Sequence, residues 1–100
     1  MTKVKHIVLL KFKDGVQEEQ INKFFDDLLD LTETVPGVDD YVSGFNSSPE
    51  IHNQGLTHGV IMTFSNAQAR DAYVAHPDHE KFKAASMEIV EQTVILDFEV

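Results

Sequence analysis

GLTHGVIMTF, residues 55–64, is the stretch of sequence that decides the fold. Every second side chain in it is large and, apart from one histidine, apolar, and this period of two is typical of a β-strand. The large side chains are Leu56, His58, Val60, Met62 and Phe64. They share one face of the predicted strand, so a single imidazole lies on an otherwise apolar surface.

Two helices are predicted after this strand. Ser65 is the predicted N-cap of the first helix, residues 66–75, and Gln68 completes a capping-box pattern. The second helix is predicted over residues 78–90, and Pro77 suits its first position because proline has no backbone N–H to leave unpaired there.

Hydrophobic periodicity predicts the remaining elements. Residues 3–12 and 92–99 alternate as strands, and residues 38–47 do so more weakly, with Gly44 indicating a bulge or a close backbone approach. Residues 16–34 repeat apolar side chains at spacings of three and four, as an amphipathic helix does. The order β-α-β-β-α-α-β is the ferredoxin-like split βαβ pattern. It predicts an α+β subunit with a four-stranded antiparallel sheet and helices on one face.

The other face of that sheet is predicted to be bare of helices. Six apolar side chains are assigned to it: Val8, Leu10, Val60, Met62, Leu96 and Phe98. So large an apolar surface is unusual on a soluble monomer. The sequence therefore predicts that two such sheets pack face to face in a homodimer with two-fold symmetry.

Composition excludes several functional classes. Seventeen acidic and eight basic side chains give a net charge of −9, which would repel the phosphates of a nucleic acid. The chain has no cysteine, so disulfides and thiolate chemistry are excluded. No apolar run is long enough to span a membrane, and the N-terminus lacks the pattern of a signal peptide. We expect one cytoplasmic domain over residues 1–100, with no nucleic acid or membrane as partner.

Several motifs together resemble the stress-responsive A/B barrel (Dabb) family. They are residues 6–12, Thr57-His58-Gly59, Met62-Thr63-Phe64, Tyr73, His76-Pro77-x-His79 and Asp97-Phe98. The resemblance covers essentially the whole chain and implies a dimeric α/β barrel built from two ferredoxin-like subunits. Some members are plant proteins linked to stress or antimicrobial defence, and one is a plant polyketide cyclase.

The similarity to that cyclase includes five side chains: His6, His58, Tyr73, His76 and His79. It implies that His79 acts as a general base and that Tyr73 orients it, so these two are the predicted catalytic residues. His6, His58 and His76 are the predicted ligand-binding residues.

The residues themselves leave an alternative open at each position. His79 can take and return a proton near neutral pH, or it can be a structural histidine bonded to the backbone or to Tyr73. Tyr73 can donate to an oxyanion, or it can be a core tyrosine with its hydroxyl at the surface. His6 and His58 can line a ligand pocket or be buried and hydrogen-bonded. His76 can contact a ligand or cap the following helix.

No metal and no cofactor are predicted. His76 and His79 do not form one of the compact zinc motifs, and zinc needs three or four converging ligands. The leading hypothesis is a small-molecule-binding dimeric barrel of unassigned role. The second is an enzyme, a cyclase, lyase or isomerase, that moves a proton next to the carbonyl of a small hydrophobic ligand. The third is a structural, stress-associated oligomer. An enclosed pocket that reaches His79 would favour the first two over the third.

Overall fold

The computed structural model, which describes residues 2–100, is a four-stranded antiparallel sheet packed against three helices. In chain order the elements are β1 (Val4–Phe12), α1 (Glu18–Thr34), β2 (Val38–Phe45), β3 (His58–Phe64), α2 (Ala67–Ala75), α3 (Pro77–Ser86) and β4 (Val90–Glu99). The strands lie in the order β2-β3-β1-β4, so β2 and β4 are the edges. The predicted ferredoxin-like order is confirmed.

The N-cap of α2 is Asn66, and the prediction of Ser65 was wrong. The Asn66 side chain accepts a hydrogen bond from the backbone N–H of Ala69 at 2.8 Å. The Ser65 hydroxyl instead donates to a carboxylate oxygen of Asp39 at 2.7 Å, which ties the end of β3 to β2. Serine and asparagine are about equally good N-caps, so sequence alone could not separate the two neighbours.

The boundary between α3 and β4 also lies earlier than predicted. α3 ends at Ser86, and β4 already begins at Val90, which pairs with Phe12. The carbonyl of Ile89 accepts a hydrogen bond from the backbone N–H of Lys13 at 2.8 Å, so this residue is already bound to the end of the sheet. The apolar residues that suggested a longer helix therefore belong to the entry into β4.

The core lies between the helices and one face of the sheet. Alternate residues of β1 and β3 supply the sheet side, and apolar residues of α1 supply much of the helix side. The most deeply buried side chains are Val4, Val60, Met62, Phe64 and Tyr73. The predicted apolar stripe of α1 is present, with Phe24, Leu28 and Leu31 buried.

The residues of β1 and β3 that were predicted to lie on the bare sheet face lie on the other face, whereas those of β4 were predicted correctly. Met62, His6 and Asp97 are aligned across three strands, so Leu96, next to Asp97, points to the side opposite Met62. Val8, Leu10, Val60 and Met62 accordingly face the helices. The residues on the outer face, which no helix of residues 2–100 covers, include Ile7, Leu9, Ile61, Val94, Leu96 and Phe98.

The bulge or close approach predicted at Gly44 is absent. The register of β2 against β3 shifts between Val38 and Asp40 instead. A Cβ atom added at Gly44 would meet no atom of residues 2–100 within 4 Å apart from its chain neighbours, so the site is open on the side where a side chain would lie. None of the helices formed by residues 2–100 is long and apolar enough to cross a membrane.

Candidate functional site

A cavity of about 520 Å³, which we call the site cavity, lies between the helices and the β1–β4 half of the sheet. Its walls are mostly apolar and include Leu10, Phe24, Leu28, Met62, Phe82 and Val90. Three of the predicted site residues, His6, Tyr73 and His79, line it. An apolar hollow with a few converging polar groups is the usual form of a small-molecule site.

A second hollow of about 570 Å³ lies beside the loop between β2 and β3. Its lining includes His52 and His58, but it consists mostly of exposed polar residues of that loop. We base the candidate site on the smaller hollow, because buried titratable side chains converge there and not at the loop.

His79 is the third residue of α3, and its ring is held by the end of α2. Its Nδ1 lies 3.0 Å from the carbonyl oxygen of Val74. A carbonyl oxygen only accepts, so Nδ1 carries the hydrogen and the neutral ring keeps its lone pair on Nε2. Burial lowers the pKa of His79 below its ordinary value of 6.5, so the neutral ring predominates at neutral pH. This is the protonation state that a general base requires.

The aromatic ring of Tyr73 packs against the imidazole ring of His79. The two ring centroids are 4.5 Å apart with an interplanar angle of 42°, and Phe64 and His6 pack against other parts of the tyrosine. The Tyr73 hydroxyl takes part in none of the side-chain hydrogen bonds formed within residues 2–100. Burial raises the pKa of this hydroxyl well above its usual range, so it stays protonated and can donate to a ligand.

His6 is buried on β1 and is anchored by a chain of charged groups. Its Nδ1 lies 2.7 Å from Oδ1 of Asp97, the residue opposite it on β4. Nη1 of Arg70 lies 2.8 Å from the other carboxylate oxygen of Asp97, and Nε of Arg70 lies 2.8 Å from Asp71. Sequence reasoning missed Arg70 and gave Asp97 no role, because their proximity to His6 depends on the register of the first strand against the last.

His58 and His76 lie outside the site cavity. His58 packs its ring against Phe45, Phe12 and Phe25 with centroids 4.7, 5.2 and 5.4 Å away, and burial lowers its pKa. His76 is the N-cap of α3, where its Nδ1 accepts a hydrogen bond from the backbone N–H of Asp78 at 3.1 Å. The fold thus brings three of the five predicted site residues together.

The site cavity therefore offers acid–base and hydrogen-bonding groups. Across residues 2–100, no three or more histidine, cysteine, aspartate or glutamate side chains are grouped so as to hold a metal ion. The free ring nitrogen of His79 can accept a proton, the Tyr73 hydroxyl can donate a hydrogen bond, and the imidazole of His6 is anchored in the same cavity.

Residues 4–100 match the family model described as the Stress responsive A/B Barrel Domain, or Dabb. The chain belongs to this family. This Dabb chain is 32% identical to olivetolic acid cyclase from Cannabis sativa, over 95% of this chain and 94% of the cyclase.

Solved structures show the same fold. A crystal structure of an Arabidopsis thaliana protein is 30% identical, with a TM-score of 0.91 over 95% of the Dabb chain and 92% of its own. A Bacteroides fragilis protein, described as dimeric, of unknown function and with a ferredoxin-like fold, is 25% identical. Its TM-score is 0.78 over 98% of the Dabb chain and 96% of its own.

Proposed function

We propose that this Dabb protein binds a small, largely apolar carbonyl compound in the site cavity and moves a proton at the carbon next to the carbonyl. The observation that carries the proposal is the bond between His79 and Val74. It occupies Nδ1 and leaves Nε2 as the basic atom of a ring that lines the cavity. The similarity to a protein named as a cyclase supports this reaction class.

The reaction would need two groups acting together. Nε2 of His79 would take the proton, and the electron pair of the broken C–H bond would move to the carbonyl oxygen. The Tyr73 hydroxyl would donate a hydrogen bond to the developing enolate oxygen, where a preorganised donor in an apolar site is most effective. The enolate would then attack a second carbonyl in a cyclisation, or His79 would return the proton at another carbon in an isomerisation.

The ligand is held by the remaining groups of the cavity. The apolar walls would bind its hydrocarbon part, and His6 would contact a polar oxygen. His58 and His76 have no part in the proposal, because they lie outside the cavity lining.

We also propose that the protein is a homodimer formed through the outer face of the sheet. Leu96 is 63% exposed and Phe98 is 48% exposed on that face in the isolated chain. Covering such a surface removes apolar area from water, which stabilises association by about 25 cal/mol per Å² before the costs of binding. A solved relative with the same fold is described as dimeric, which supports this arrangement. A cytoplasmic location is also part of the proposal, and the lack of cysteine agrees with it.

Hydrogen–deuterium exchange at the carbon next to a carbonyl tests the proposed chemistry. The wild-type protein is expected to accelerate this exchange in D₂O for at least one of a set of methyl ketones and 1,3-diketones with apolar tails, followed by NMR. His79→Asn keeps a side-chain N–H near the position of Nδ1 but removes the base, and should lower the acceleration about 100-fold or more.

The matched control is His52→Asn, since His52 lies in the exposed loop between β2 and β3. It should leave the exchange unchanged. Equal rates for wild type and His79→Asn on every ketone would contradict the proposal. If ketones raise the melting temperature of the protein but none undergoes accelerated exchange, the protein binds ketones and does not catalyse this reaction.

A further inference from the structure

Lys83 lies where the site cavity opens to solvent. It follows His79 by one turn of α3, and both residues line the cavity. Met87 and Ile95, which are 73% and 59% exposed, also belong to the lining and mark the open side. The side chain of Lys83 is 54% exposed. A half-exposed lysine at such a place lays its apolar stem along the cavity wall and keeps its ammonium at the opening.

The carboxylates of the cavity lining are already paired with cations. Besides its histidines, the lining within residues 2–100 includes three acidic or basic side chains: Lys83, Glu91 and Asp97. Oε2 of Glu91 lies 3.1 Å from Nζ of Lys11, and Oδ2 of Asp97 lies 2.8 Å from Nη1 of Arg70. Neither Lys11 nor Arg70 lines the cavity. A cationic ligand would therefore have to displace a lysine or an arginine from these carboxylates.

Lys83, in contrast, has a weak partner. Its Nζ lies 3.5 Å from Oε1 of Glu80, a side chain that is 56% exposed and does not line the cavity. An exposed ion pair of this kind contributes little to stability, so it is easily exchanged for another. The flexible four-carbon stem of lysine lets the ammonium turn toward a new carboxylate. An anionic group of a ligand at the opening would therefore compete only with Glu80.

We propose that Lys83 is a specificity-determining residue whose ammonium binds the carboxylate of a ligand in the site cavity. His79 and Lys83 are about 6 Å apart along the axis of α3, so the carboxylate lies a few bonds from the carbon that loses its proton. A single ammonium in a chain of net charge −9 suits a monoanion better than a phosphate dianion. The substrate class is then an oxo acid with an apolar tail. The place of its carbonyl rests on the proposed function, but the binding of its carboxylate does not.

Calorimetry with two matched compounds and the full chain at pH 7.5 tests this inference. The compounds are 5-oxononanoate and its neutral amide, 5-oxononanamide. Wild type is expected to bind the acid about fivefold or more tightly than the amide, because a carboxylate forms a charge-assisted hydrogen bond with an ammonium. Lys83→Met should weaken binding of the acid to about the level of the amide and leave the Kd of the amide unchanged. Lys83→Arg should keep the preference for the acid.

The matched control is Lys81→Met, which removes the same charge from an exposed residue of α3 that does not line the cavity. It should keep the preference for the acid. Equal affinities of wild type for acid and amide would overturn the inference, and so would a preference that survives in Lys83→Met. The wild-type comparison needs no variant, so it decides even if Lys83→Met fails to fold.

NMR exchange measured on the same two compounds separates this inference from the proposed function. Tighter binding of the acid without accelerated exchange would support the carboxylate site and contradict the proposed reaction. Accelerated exchange of both compounds with equal affinities would support the reaction and overturn the role of Lys83.

Discussion

His79 and Lys83 lie one helical turn apart on α3, and both line the site cavity. Burial is the main cause of the lowered pKa of His79. The hydrogen bond to the Val74 carbonyl raises this pKa, and the neighbouring ammonium of Lys83 lowers it. Because its pKa is lowered, the imidazole of His79 loses its proton at a pH below 6.5, the ordinary pKa of histidine. The position of Lys83 therefore bears on the pH range in which His79 can act as a base.

The rate of ketone exchange should rise with pH and level off, with its midpoint below 6.5, because only the neutral ring of His79 can take a proton. Lys83→Met should move that midpoint upward. Lys81→Met removes the same charge from an exposed position on the same helix and should not move it. The measurement is the exchange rate from pH 4.5 to 8. A Lys83→Met midpoint at or below that of wild type would refute the assignment.

Tyr73→Phe should lower the rate of ketone exchange while leaving the stability of the fold almost unchanged. The hydroxyl bonds to no group within residues 2–100, so its removal should cost less than the about 1 kcal/mol that a lost intramolecular hydrogen bond typically contributes. Ketone exchange should nevertheless fall about tenfold or more, because the donor to the enolate is lost. Both quantities are measured on the same preparation, by urea unfolding and by NMR.

Tyr41→Phe is the matched control for that variant. The Tyr41 hydroxyl is buried and has no hydrogen-bond partner among residues 2–100, but it does not line the site cavity. Its removal should leave exchange unchanged and should not destabilise the fold, since no hydrogen bond is lost. Similar exchange losses in the two phenylalanine variants would speak against a specific role for Tyr73.

Leu96→Asp should convert the proposed dimer to a monomer. The carboxylate would lie on the outer face of the edge strand β4, opposite Ile7 of β1, and burying an unpaired charge in the proposed interface costs several kcal/mol. Light scattering after size-exclusion chromatography gives the mass of each species. Ile51→Asp, at a loop residue that is 90% exposed, places the same charge off the sheet and should stay dimeric. A wild-type protein that is monomeric at micromolar concentration would refute the dimer.

Gly37→Ala should be more destabilising than Gly15→Ala. Both glycines have a positive φ, 96° and 86°, so an alanine at either is strained by about 1–3 kcal/mol. A Cβ at Gly37 would in addition lie 2.6 Å from the Cβ of Ala69, whereas one at Gly15 would meet nothing within 4 Å. Urea unfolding of the two variants therefore measures the cost of the contact between this turn and α2. Equal losses of stability would show that α2 can shift to make room.

The parts of the site that were predicted from sequence are those held by local chain geometry. Tyr73 and His79 are six residues apart across a tight helix–helix junction, so their proximity follows from two short helices separated by one residue. Pro77 was predicted at the start of α3 and is found there. The contact of His79 with a backbone carbonyl was among the alternatives considered, but its partner, Val74, was not.

The long-range parts of the site were not predicted. His6, Arg70 and Asp97 come from β1, α2 and β4, and no sequence pattern states that residue 6 is paired with residue 97. The sequence analysis also grouped His58 with His6 because both were assigned to one face of the sheet. Two side chains on the same face can still lie at opposite ends of it. His58 instead packs among phenylalanine rings.

The sequence alone determined which segments form strands and helices and in what order, because hydrophobic periodicity and helix-capping residues act over a few neighbouring positions. Only the tertiary structure decided which face of each strand meets the helices, and hence that Met62 is buried while Leu96 is exposed. Alternation along a strand sorts side chains into two sets, but strand register and helix packing choose between them. The same long-range pairing brings Asp97 to His6, so the anchoring of the imidazole that is proposed to contact the ligand depends on a contact that no local pattern encodes.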